Sequence, residues 1–189
     1  MISVFLTSIR PQFWTRFYAS VQQATTRLFE VVVAGPTTHP EDLPINFRFV
    51  HTDVKPAQAL EVAARECRGD LIMGSADDLV FDTGTLDLLA EAVESEERVL
   101  ASGHYAVQDD VQGYRVEECY HSGGSVGMPG ITPLCPMMRA SAWREAGGTD
   151  PCFCSSYGYD DLVIRLQVAG WKAVLVDRKV TEIRGKSDL

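Results

Sequence analysis

The first half of the chain alternates two hydrophobic periodicities, and that alternation restricts the fold more than any other feature. Residues 1–6 form a short, β-rich apolar run. It ends in Thr7-Ser8-Ile9-Arg10-Pro11, and Pro11 suits the first turn of a helix. Phe13, Trp14, Phe17, Val21 and Ala24 then recur at three- and four-residue spacing, which predicts an amphipathic helix to about Leu28. Residues 29–34 are a second apolar run, closed by Gly35-Pro36, and residues 47–50 are a third. Pro56 opens another helix, with Leu60, Ala63, Ala64 and Cys67 on one face and Gly69 as its stop. Residues 70–74 read as a fourth strand, and a helix from Gly84 or Thr85 turns Leu86, Leu89, Ala92 and Val93 inward. Strand and helix in turn predict an α/β fold with a mostly parallel central sheet flanked by helices.

The second half has a different rhythm. Residues 99–107 and 114–120 predict a small antiparallel hairpin around Gln108-Asp109-Asp110. Residues 123–133 are rich in glycine and proline and predict a loop, of the kind that orders over a bound ligand. Residues 134–138 suggest a strand that Pro136 would keep at a sheet edge. Two short helices, near residues 140–146 and 160–169, precede a last strand at residues 172–176.

A chain of 189 residues is enough for one well-buried domain and too short for two comfortable ones. The net charge of -9 disfavours general nucleic-acid binding, without excluding a phosphate site neutralised by a metal. No apolar run approaches the roughly 18 residues that a membrane span needs. The N-terminus lacks a basic stretch and a cleavage site, so it reads as a strand and not as a signal peptide. Five cysteines at scattered positions suggest no disulfide framework, and a cytoplasmic location is the simpler expectation.

In open α/β sheets ligands bind beyond the carboxyl ends of the strands. That rule selects residues 7–10, 35–38, 53–55 and 75–78. The last is the sharpest, because Asp77-Asp78 follows an apolar strand and a carboxylate there needs a cation or hydrogen-bond donors. Such oxygens suit Mg²⁺ or Mn²⁺ bridging to substrate phosphates, although the pair also reads as a simple turn cap. Asp160-Asp161 opens a helical pattern behind Tyr157-Gly158-Tyr159. Acids there favour the helix dipole, and one of them is equally a candidate general base. Tyr157 and Tyr159 are candidates either for stacking on a sugar or for packing. Cys119, His121, Cys152 and Cys154 make a weak zinc set, with ordinary buried thiols the preferred reading. Trp14 and Trp143 are expected in the core. P-loop, Gly-x-Ser-x-Gly and Gly-x-Gly-x-x-Gly signatures are all missing, which disfavours P-loop NTPases, α/β-hydrolases and dinucleotide-dependent dehydrogenases.

Four segments in this order resemble the glycosyltransferases of the GT-A fold, most of all the inverting family 2. They are the opening strand with Thr7-Ser8-Ile9-Arg10-Pro11; the strand Phe29-Glu30-Val31-Val32-Val33; Gly69-Asp70-Leu71-Ile72-Met73-Gly74-Ser75-Ala76-Asp77-Asp78; and Gly147-Gly148-Thr149-Asp150 followed by Tyr159-Asp160-Asp161-Leu162 and a helix to Ala169-Gly170-Trp171. The resemblance implies one Rossmann-like GT-A domain over 1–189. Residues 1–98 would form the nucleotide-sugar-binding half, and 99–189 the acceptor-binding and catalytic half. It implies a donor-binding set of Thr7, Arg10, Lys55, Asp77 and Asp78, a Mn²⁺ or Mg²⁺ ion on Asp78, and Asp160 or Asp161 as catalytic base. The partners implied are a nucleotide-sugar donor and an acceptor hydroxyl on a glycan, small molecule, protein or modified nucleic acid.

Three positions depart from the family pattern. Ala34-Gly35-Pro36-Thr37 carries no acid where the family usually contacts the nucleobase or ribose. Ala76 stands for the first acid of the metal motif. Glu182 stands near the usual histidine after the last strand, and reads either as an oxygen ligand in its place or as a surface residue. The alternatives are an inactive nucleotide-sugar-binding domain and a nucleotidyltransferase, although Thr7–Pro11 lacks the glycine-rich basic loop that the latter uses.

Overall fold

The alternating first half folds as its periodicity requires. In chain order it comprises β1 (Ile2–Thr7), α1 (Trp14–Ala24), β2 (Phe29–Gly35), β3 (Phe47–His51), α2 (Pro56–Glu66), β4 (Leu71–Ser75), β5 (Leu79–Phe81) and α3 (Thr85–Ser95). The second half adds β6 (Val99–Asp109), β7 (Gly113–Glu117), β8 (Tyr120–Ser122), β9 (Ile131–Pro133), β10 (Met137–Arg139), α4 (Ala140–Glu145), α5 (Gly158–Val168) and β11 (Lys172–Arg184). This computed structural model describes residues 1–37, 42–109, 113–117, 120–122, 131–155 and 157–184.

The main sheet has the order β3-β2-β1-β4-β10-β6-β11-β5, with β7 paired to β6. The pairs β2–β3, β1–β2, β1–β4 and β6–β11 are parallel. β10 runs antiparallel to both of its neighbours, and β5 antiparallel to β11. The sheet is therefore mostly parallel, with the antiparallel hairpin β6–β7 attached.

Alternation along each strand divides the core between two faces. Ile2, Val4 and Leu6 join Val31, Val33, Leu71 and Met73 under Trp14, Phe17 and Val21 of α1 and Leu86, Leu89 and Val93 of α3. Phe5, Val32, Ile72, Leu100 and Met138 point the other way, under Ala59 and Ala63 of α2, Trp143 of α4 and Leu162, Val163 and Leu166 of α5. Both expected core tryptophans are buried. Small alanines on α2 let that helix lie close to the sheet, and the large side chains come from β1 and α4 instead.

Several boundaries differ from the sequence reading, each for a local reason. α1 stops at Ala24, because Thr25 turns extended and Asp87 of α3 takes the Thr25 hydroxyl (2.6 Å) and the Thr26 N–H (2.9 Å). Leu28 is left exposed. β10 is central and not an edge strand. Pro136 precedes it, so its missing N–H removes nothing from the ladders that Met137 makes with Met73 and Ala101. β11 continues to Arg184, past an irregularity between Val176 and Lys179. Of the glycine- and proline-rich segment, residues 123–130 lie outside the described residues and Ile131–Pro133 is a strand paired with β8.

At the amino ends of the strands, the buried Glu30 carboxylate ties the sheet together. It accepts from the Ser3 hydroxyl (2.7 Å), the Arg68 N–H (2.6 Å) and Arg48 (3.0 Å). Burial raises its pKa, and these three donors together outweigh that and hold the carboxyl below its usual range. The chemistry described next sits at the opposite end of the sheet.

Candidate functional site

Sheet order alone marks the crevice. The chain leaves β1 outward to β2 and β3, then crosses back to place β4 on the other side of β1. At such a switch the connections diverge above and below the sheet and leave a groove at the carboxyl ends. The turns that border it are Ser8–Arg10 after β1 and Ala76–Asp78 after β4.

These two turns are bonded to each other. The Ser8 hydroxyl accepts from Trp14 Nε1 (2.9 Å) and from the Arg10 N–H (3.0 Å), and donates to the Asp77 carboxylate. One donor and two acceptor positions are thus all used. Asp77 is only 2% exposed. It also receives Arg10 through Nε (3.2 Å) and Nη2. The same Nη2 reaches Asp78 Oδ2 at 2.8 Å. Burial alone would lower the Arg10 pKa, and the hydrogen bonds and charges of Asp77 and Asp78 raise it above its ordinary value. The guanidinium lies over the Phe13 ring, 4.9 Å from its centre. Asp77 therefore serves to fix Arg10, while Asp78, at 22% side-chain exposure, faces the groove.

β11 brings Glu182 alongside. Glu182 is opposite Leu79 in the β5–β11 ladder, and the Ile183 N–H donates to the Asp78 carbonyl at 2.9 Å. The Glu182 carboxylate accepts from Arg184 at 2.6 and 2.9 Å. Among the described residues no group of three or more His, Cys, Asp or Glu side chains makes a metal cage. Asp78 and Glu182 are oxygen ligands of the type a hard divalent ion takes alongside substrate phosphates and water, and each is paired with an arginine here.

The second acidic pair reaches the same end of the sheet through α5. The Tyr159 hydroxyl donates to the Pro136 carbonyl (2.8 Å) and accepts the Gly74 N–H (3.2 Å). Burial, foremost, pushes the phenol well above its usual pKa. A Cβ on Gly74 would lie 3.0 Å from the Tyr159 ring, so glycine is what allows the first turn of α5 to dock on β4. Tyr159 packs, and it also lies against Trp143, with ring centres 5.8 Å apart. Tyr157, by contrast, is 73% exposed and sits in the left-handed region at φ 65°.

The two acids differ in their partners. Asp161 accepts from Arg165 Nε at 2.8 Å, and that arginine also holds the carbonyls of Ala146 and Gly148. Among the described residues no hydrogen bond or ion pair engages the half-buried Asp160 carboxylate. Gly147-Gly148 closes α4 with both residues at φ 77°. The following Thr149 donates its N–H to Glu61 of α2 at 2.9 Å, beside Trp143 Nε1 at 3.1 Å.

Thr7 ends β1 opposite Ala34, half-exposed above the groove. Lys55 is exposed at the start of α2, its N–H 3.3 Å from Gln58 Oε1. The loop before α5 crosses there, with Ala57 N–H donating to the Cys154 carbonyl at 3.2 Å. Cys152 and Cys154 are exposed free thiols, contrary to the buried reading, and Cys119 lies outside the described residues. The roles of Ser8 and Glu61 in holding these turns were not assigned from the sequence. The only signal for them was a hydroxyl directly after a strand, and an acid on an otherwise alanine-rich helix face.

No family model and no curated protein matches the chain by sequence. Solved structures match it closely in shape. Residues 1–349 of TarS from S. aureus superpose with a TM-score of 0.73 at 14% identity, over 96% of this chain and 60% of that one. The same protein in complex with UDP-GlcNAc gives 0.73 at 13% identity, over 96% and 58%. GalNAc-T7 with UDP, GalNAc and Mn²⁺ gives 0.74 at 12%, over 98% and 44%. The chain has the GT-A fold. It spans at most about 60% of the length of these GT-A neighbours. No helix among the described residues is long and apolar enough to cross a membrane.

Proposed function

We propose that this chain is an inverting glycosyltransferase. It would move a sugar from a nucleoside-diphosphate donor to an acceptor hydroxyl, with 1–98 contributing the donor half and 99–189 the acceptor and catalytic half. One observation carries the reading: the Tyr159–Gly74 contact docks Asp160, a carboxylate without a partner among the described residues, at the same strand ends as the Arg10–Asp77–Asp78 cluster. A base and an anion-handling site at one groove are what glycosyl transfer to a hydroxyl requires.

In this reading Asp160 accepts the proton of the acceptor hydroxyl as its oxygen attacks the anomeric carbon from the face opposite the diphosphate. The C–O bond to the diphosphate breaks as the new one forms, and the configuration inverts. Asp161 and Arg165 fix the start of α5 so that Asp160 keeps its place. Asp77 and Ser8 hold Arg10 beside the departing diphosphate, and Thr7 and Lys55 border the donor. Asp78, with Glu182 beside it, would hold Mn²⁺ or Mg²⁺. A divalent cation there supplies charge neutralisation for the leaving group. That GalNAc-T7 was crystallised with UDP and Mn²⁺ on the same fold supports this choice.

The test is a panel of nucleotide sugars with Mn²⁺, Mg²⁺ or chelator, read by calorimetry and by nucleoside-diphosphate release. Metal-dependent binding with release to an added acceptor is expected. Binding without release for every acceptor tried would make the chain a nucleotide-sugar-binding domain instead.

A further inference from the structure

Buried polar groups in folded proteins are nearly all paired, so an unpaired one marks a place that something else completes. Among the described residues, the buried side-chain nitrogens and oxygens without a hydrogen-bond partner belong to Arg16, Thr37, Ser75 and Arg139. Two of these residues, Ser75 and Thr37, stand at the strand ends that border the crevice. Ser75 ends β4, Thr37 lies two residues beyond β2, and Arg16 is on α1, past the 3-10 turn Pro11–Phe13 that follows Arg10.

Arg16 is the costliest of them. A guanidinium is always charged, carries five N–H donors and accepts nothing. Its Nε and Nη2 are both buried and both unpaired. Packing does fix its position: its guanidinium carbon lies 4.8 Å from the centre of the Phe13 ring, the ring that also carries Arg10 at 4.9 Å. Arg10 is held by Asp77 and Asp78, and Arg16 shares the Phe13 ring with it. A ring face attracts the charge but accepts only weakly from N–H groups. The nearby acids cannot serve either. Asp77 and Asp78 are committed to Arg10, and Ala34-Gly35-Pro36-Thr37 carries no carboxylate.

We infer that Arg16 is a donor-specificity residue whose guanidinium hydrogen-bonds acceptor oxygens of a nucleoside diphosphate in this groove, with the Thr37 and Ser75 hydroxyls completing the contact. The inference rests on the nucleotide-sugar reading above and sharpens it. Where the family's usual acid would accept a hydrogen bond from the nucleotide, this chain donates one. Two parts of a nucleoside diphosphate present such oxygens, the phosphates and the carbonyls of the base.

Calorimetry with UDP, GDP and ADP in Mn²⁺, on the wild type, Arg16→Gln and Arg16→Lys, decides the matter, with thermal melting measured in parallel. Arg16→Gln is expected to weaken at least one diphosphate by about tenfold or more, the usual effect of a hydrogen bond to a charged group, at an unchanged melting temperature. An equal loss for all three locates the contact on the phosphates, and Arg16→Lys then recovers part of it. A loss confined to one base locates it on the base, and lysine does not rescue. Arg16→Lys keeps the stem and the charge, so it remains readable should the glutamine variant fold poorly. If the wild type binds and both variants bind all three as tightly, the Arg16 assignment is overturned and the nucleotide-sugar reading stands. If the wild type binds none of the three, that reading fails, and this inference with it.

Discussion

Adjacent acids are indistinguishable in a sequence and distinct once folded. Asp161 is held by Arg165, which also clamps two carbonyls around the preceding glycine turn, whereas none of the described residues engages Asp160 next to it. Asp160→Asn is therefore expected to lower kcat by about 10²–10⁴-fold, the usual contribution of general-base catalysis. Nucleotide affinity and melting temperature should stay put. Asp161→Asn should do the reverse, losing about 0.5–1 kcal/mol of stability, as a half-exposed ion pair would, with turnover within a few-fold. Steady-state kinetics and urea unfolding on both variants check the assignment, and equal turnover of Asp160→Asn and wild type would remove it. The Asp77-Asp78 pair divides in the same way. Asp77 is buried beneath Arg10, and Asp77→Ala leaves a guanidinium facing a void. The expected cost is about 1–3 kcal/mol, because the Ser8 hydroxyl and part of Arg10 lose their acceptor while Asp78 still pairs with the guanidinium. Asp78→Ala, at the half-open lip, should cost far less stability.

At the scale of elements, the path of the first half was legible because helix and strand periodicities are local. Pro11, Pro56 and Gly35-Pro36 mark boundaries through their own φ restrictions, and the structure follows them closely. The central place of β10 was not legible, since the strand is three residues long and its ladders come from residues far along the chain. The same limit applied to the site. Asp77, Asp78 and Asp160 could be picked out as strand-end or helix-start acids. The service of Ser8 and Asp77 to Arg10 depends on a side-to-side bond between turns almost 70 residues apart. Gly74 makes the point testable. Gly74→Ala sets a methyl against the Tyr159 ring, and overpacking of this kind costs roughly 1–3 kcal/mol. It should also displace the first turn of α5, so kcat is expected to fall more than the Kd for nucleotide changes. At the opposite end of the sheet, Glu30 gives an acid-side prediction. Its folded pKa lies below the unfolded value of about 4.3. The stability it contributes is therefore present above that pH and is lost as the pH falls through the folded pKa. Glu30→Gln should be less stable than wild type at pH 7, and the two urea midpoints should converge towards pH 3. A constant gap across that range would mean that the charge is not what matters.

For the whole molecule, the proposed function makes the groove the place where the two halves of the chain meet. β1 and β4 supply the Arg10–Asp77–Asp78 cluster, and α5 and β11 supply Asp160 and Glu182 from the far end of the sequence. A ligand seated there touches both halves and nothing in the unfolded chain, so its binding free energy adds to stability. With nucleoside diphosphate and Mn²⁺ at about a hundred times Kd, the gain is about 2.7 kcal/mol. At roughly 2–4 °C per kcal/mol for a chain of this size, melting should rise by about 5–10 °C. Chelator should remove most of that shift, because the Asp78 carboxylate meets a bare diphosphate unfavourably unless a cation stands between them. Asp78→Ala should melt near the wild type without ligand and lose the Mn²⁺-dependent part of the shift, leaving Asp77 and Arg10 intact beneath. A thermal scan of both proteins with nucleotide alone, metal alone and the two together separates these contributions. If nucleotide alone gives the full shift, or if Asp78→Ala responds to Mn²⁺ like the wild type, the cation is not held at Asp78.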